Sequence, residues 1–166
     1  MRTIRFIVAA ALGLTSPLAA QHEHREGMQH ANSDSAFAAV QRRGKDVMGV
    51  DQYTSRHVFE SRPDGGRIEL QRQEEDSAGV AQIRSHLGEI AEQFRHGDFA
   101  APFIVHDQEV PGTRVMADRR GRIRYTVRPL PRGGEIVITS RDRRAIGAVH
   151  DFLAFQRGDH RAEGER

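Results

Sequence analysis

Nine histidines stand in a chain of 166 residues that has no cysteine and no tryptophan. Neutral imidazole is the commonest protein ligand for copper and zinc. Four of the nine are candidates for one site. In the run Tyr53 to Phe59, strand alternation puts Tyr53, Ser55, His57 and Phe59 on one face. The matching face later in the chain is Ile123, Tyr125 and Val127, so His57 should point inward as the counterpart of Tyr125. His86 lies between Ile83 and Ile90 at helical spacing, and His150 lies between Ile146 and Leu153 in the same way. His106, in PFIVHDQEVPG, offers a fourth donor.

Together His57, His86, His106 and His150 would form a metal site, for copper first and zinc second, or hold a small metal-containing ligand. Met48 and Met116 occupy equivalent places in two similar segments, and a thioether at the site would favour Cu(I). The competing reading makes each histidine a hydrogen-bonded core residue. The helical spacing His86 to His96 is H-x9-H, not the H-x3-H that sets two ligands side by side.

The other histidines suggest lesser roles. His22, His24, His30 and Met28 form a polar stretch able to capture copper or zinc weakly. His96 and His160 fall near helix ends, where the dipole favours a charged ring. The one compact acid–base cluster is His106 with Asp107 and Glu109. The sequence contains no G-x-S-x-G, phosphate-binding glycine loop, H-E-x-x-H or C-x-x-C.

The elements that must position these groups come as a repeat. The segment starting at Val47 aligns without a gap with the segment starting at Val115, an offset of 68 residues. Val-Met, Arg56 with Arg124, Pro63 with Pro131, and Gly65-Gly66 with Gly133-Gly134 all match. Each segment reads as a β-hairpin turning at Pro63–Gly66 or Pro131–Gly134. An amphipathic helix follows each, over residues 78–95 and 142–156, and a shorter helix over 36–47 precedes the first. In the helices the register is open: one alignment pairs His86 with His150, another pairs Gly97-Asp98 with Gly158-Asp159. The fold class is α+β: two ββα units forming one antiparallel sheet, with both main helices on one face.

The ends and the charge set the context. Residues 1–20 carry Arg2, Arg5, a short apolar run and a small-residue exit, the parts of a secretory signal peptide. The expected domains are a leader at 1–20, a lead-in at 21–34, one domain at 35–160 and a charged tail at 161–166. The expected location is the periplasm or outside the cell. Of 25 Lys+Arg, the leader removes two, leaving 23 against 23 Asp+Glu. A neutral mature chain gives no reason to expect nucleic acid or membrane as partner.

The stretches MGVDQYTSRHVFESRPDGGRIEL, IRSHLGEIAEQFRHGDF, PFIVHDQEVPG, RIRYTVRPLPRGGEIVITS and AVHDFLAFQRGDH are similar to a family of small exported bacterial proteins of uncharacterised function. The resemblance runs from Met48 to His160. It implies family histidine positions at His57, His86, His106, His150 and His160, and Arg56 stands where a second strand histidine often occurs. Some members are labelled aspartate carbamoyltransferase; the Ser-Thr-Arg-Thr phosphate-binding motif of that enzyme is absent from this sequence. The expectation is an exported metal-binding domain rather than an enzyme. The alternatives are a non-catalytic interaction or stress-related domain with structural histidines, and a small hydrolase or lyase using His106 and Asp107.

Overall fold

The computed structural model describes residues 33–47, 49 and 52–162. The leader at 1–20, all but the last two residues of the lead-in, Met48 and residues 163–166 therefore lie outside the described residues. The described residues from 35 to 162 group as one compact unit. The order is α1 (33–47), β1 (Ser55–Arg62), β2 (Gly65–Arg72), α2 (Ser77–His96), α3 (Ala100–His106), α4 (Thr113–Asp118), β3 (Ile123–Leu130), β4 (Gly133–Ser140) and α5 (Arg143–Asp159).

Each hairpin turns on two residues, Pro63-Asp64 or Pro131-Arg132. Proline presets the turn's first φ and cannot continue a ladder. The four strands form one antiparallel sheet in the order β1-β2-β4-β3. The repeat is carried in its register. Phe59 pairs with Ile68 as Val127 pairs with Ile136. Ile68 pairs with Ile136 across the sheet centre, which puts a pseudo-twofold axis between these two residues. The short 3-10 turns Gln52–Thr54 and Arg120–Arg122 keep the same offset. A helix stands ahead of the second hairpin as well as the first. Sequence reading found only α1, because α3 and α4 are too short to show a periodic stripe.

The main helices are shifted relative to the strands. Asp76 caps α2 by accepting from the Gly79 N–H, and Asp142 caps α5 by accepting from Arg144 and Ala145. Such caps contribute about 1 kcal/mol each. They lie 66 residues apart, two fewer than the strand offset, because the β4–α5 loop is shorter than the β2–α2 loop. This sets Ile83 against Val149, Leu87 against Leu153 and Phe94 against His160, so neither alignment considered above holds.

Both helices cover the same sheet face, each over the other half's hairpin: α2 lies on β3 and β4, and α5 on β1 and β2. Glycines permit the crossings. A Cβ at Gly66 would stand 2.3 Å from Leu153, and one at Gly134 would stand 3.0 Å from Leu87. The core between sheet and helices includes Ile83, Leu87, Phe94, Ile136, Ile138, Val149, Phe152 and Leu153.

Candidate functional site

At the end of this core where α1, α3 and the C-terminus of α5 meet β1 and β2, a cavity of about 90 Å³ opens. Its walls are mostly apolar: Phe59, Ile68, Leu87, Ile90, Phe94 and Phe152 contribute, and so do His57, His86, His106 and His160. The His57 and His160 rings stack with centroids 5.7 Å apart and planes 8° from parallel. The His106 ring stands edge-on to His160 at 5.0 Å. His57 and His160 also line an outer cleft with Phe37, Gln41 and Tyr53.

His57 projects from the inner face of β1, beside Phe59. Its Nε2 is buried and has no hydrogen-bond partner. The ring bonds the backbone of Ser55, an interaction that raises its pKa and is therefore donated to the carbonyl. With Nε2 unpartnered, that donor is Nδ1. The Nε2 lone pair is left facing apolar surroundings, the tautomer that an Nδ1–H bond to a backbone carbonyl fixes in a metal-ligating histidine. Burial pushes the His57 pKa down to about 4. His160 falls to about 3, first through burial and then through the neighbouring His57 and His106. His86 is also lowered by burial, partly offset by Glu89.

His106 is held differently. Its Nδ1 donates to the Asp159 carboxylate, and its Nε2 lies 3.0 Å from the Gln156 side-chain oxygen. Both nitrogens are thus engaged within the protein.

Of the four sequence candidates, His57, His86 and His106 line the cavity and His150 does not. His150 donates from Nε2 to the Arg62 carbonyl at 2.9 Å. It sits at the margin of the buried α5 stripe, beside Val149, and the helix crossing turns it toward the end of β1. His160 occupies the cavity instead. Its burial and low pKa exclude the charged, dipole-stabilised ring expected at a helix end. His96, at the end of α2, is 74% exposed and lies against Glu92. Met116 is fully buried in the core and does not line the cavity. Asp107 caps α3 in the left-handed region at φ 54° and is exposed, so the carboxylate beside His106 is Asp159, 53 residues away. Among the described residues, no three His, Asp or Glu side chains are placed to share one ion as they stand.

No family model matches the chain, and neither does any curated protein or solved structure.

Proposed function

We propose that this is an exported domain that binds a transition metal in the histidine cavity, with His57 and His160 as the primary pair. His86 is a third donor, and His106 a fourth once Gln156 gives way. The single observation that carries the reading is the His57 Nε2 lone pair, buried, unpartnered and held in one tautomer within reach of other imidazoles. A desolvated acceptor with no donor destabilises the fold unless something binds it. Two imidazoles on one ion, at bonds of about 2.0–2.1 Å, have ring centroids roughly 5–6.5 Å apart. The separations of 5.7 and 5.0 Å lie in that range, and ring rotation would turn the nitrogens toward a common centre. Nitrogen donors place copper ahead of zinc, because divalent affinity peaks at copper. With Met116 in the core, that order rests on the imidazoles alone.

Metal that binds only the folded chain raises the melting temperature by mass action. Metal-stripped mature protein should show such a rise with equimolar Cu(II), and a smaller one with Zn(II). His57→Ala and His160→Ala should each lose most of the rise, while His150→Ala should keep it. Any contribution of His22, His24 and His30 is common to all these variants. An undiminished rise in both cavity variants would overturn the proposal.

A further inference from the structure

The balanced charge of the chain hides a local segregation. In the first half, the loop ahead of the main helix reads Gln73-Glu74-Glu75-Asp76; in the second, the loop and the start of α5 read Arg141-Asp142-Arg143-Arg144. The chain entering β3 reads Arg119-Arg120-Gly121-Arg122-Ile123-Arg124. Antiparallel pairing of Ile123 with Ser140 brings these two basic segments together.

There they wall a cleft lined by Asp64, Arg95, Arg122, Arg124, Tyr125 and Arg141, among others. Arg122, Arg124 and Arg141 are exposed. None of them has an ion-pair partner among the described residues. Arg95 pairs with Glu92. Asp64 is the one carboxylate against four guanidiniums in the lining.

We infer that this cleft binds a multiply charged phosphate group through Arg122, Arg124 and Arg141. Guanidinium groups suit such a ligand because their planar forks donate two parallel N–H bonds to its oxygens. The phosphate could belong to a free polyphosphate or ester, or to a lipid headgroup. The site is remote in chemistry from the histidine cavity and does not depend on the metal reading.

The test titrates inorganic pyrophosphate into the mature chain by calorimetry. A parallel arm measures co-sedimentation with phosphatidylcholine vesicles, with and without phosphatidylglycerol. Arg122→Ala and Arg141→Ala should each weaken pyrophosphate binding about tenfold, the loss of one charge-assisted contact. Arg114→Ala, on an exposed arginine paired with Glu109 outside the cleft, should change nothing. Binding only to the phosphatidylglycerol vesicles, lost in the same variants, would support the site and assign its phosphate to a lipid. Binding in neither arm would overturn the proposal. So would equal weakening by Arg114→Ala, which would mean a diffuse surface effect.

Discussion

Two ring contacts occupy equivalent places in the two halves. Over the second hairpin, Phe94 of α2 meets Tyr125 of β3 at 5.8 Å. Over the first, His160 at the end of α5 meets His57 of β1 at 5.7 Å. The strand offset relates His57 to Tyr125, and the helix-cap offset relates Phe94 to His160. The backbone slot is the same, but one is filled with a phenyl and a phenol ring and the other with two imidazoles. Phe94 also touches Phe99 and Phe152 and belongs to the continuous core. The histidine pair borders a void, resists protonation and leaves one nitrogen unmet. The repeat thus holds two contacts that share one geometry: one belongs to the continuous core, and its counterpart leaves the buried His57 Nε2 without a hydrogen-bond partner.

The largest effect should come from removing the phenyl ring. Phe94→Ala should cost about 3–5 kcal/mol, as for other buried phenylalanines. His160→Ala, in metal-free protein, should cost about 1 kcal/mol or less. Urea denaturation with a chelator present measures both. Equal losses would break the comparison and make the histidine pair ordinary packing.

Acidification should come next in size. An unfolded histidine titrates near pH 6.5. Folded His57 and His160 take up protons only near 4 and 3. Between these values the unfolded chain binds more protons, so stability falls as pH drops below about 6.5. The slope should approach two protons per molecule, roughly 2.7 kcal/mol per pH unit. Above about pH 7.5 these groups contribute no slope. Urea midpoints from pH 7.5 to 4.5 in metal-free protein test this; a flat profile would mean the rings are solvated.

Converting the second contact into the first gives a sharper, smaller effect. His57→Phe with His160→Phe should stabilise metal-free protein by about 1–2 kcal/mol, since added apolar surface fills the adjoining cavity. The same double variant should lose both the acid slope and the copper-dependent melting shift. Destabilisation instead would show that the slot is already fully packed.

The smallest effect should follow Asp159→Asn, which replaces the charged acceptor of His106. A loss of about 1 kcal/mol is expected in thermal or urea unfolding. Because His106 is tied at both nitrogens, the variant should leave the initial copper-dependent shift largely in place. Complete loss of that shift would promote His106 to a primary ligand.

Much of this architecture was legible without coordinates. Pro63, Pro131 and the glycine pairs mark the turns, alternation marks the strands, and the gapless match to Tyr125 is enough to turn His57 inward. These are local signals, set by φ restrictions and by the period of two. His150 shows where such reasoning fails. A helical stripe is more than 100° wide, so membership does not say which neighbour a side chain meets. That depends on the angle at which α5 crosses β1 and β2. His160 was missed for a related reason: the shorter β4–α5 loop changes the helix offset from 68 to 66 residues, and only that change sets it opposite Phe94.

The sequence by itself determined the repeat, the α+β class, the turn positions and the abundance of imidazole. The tertiary structure decided which imidazoles meet, because that rests on helix crossing and loop length rather than on any local pattern. It also decided that His106 pairs with Asp159 rather than Asp107, since the left-handed cap of α3 turns Asp107 to solvent while the end of α5 returns alongside. And it decided that a chain with balanced charge gathers unpaired arginines in one cleft, because pairing depends on which strands lie side by side.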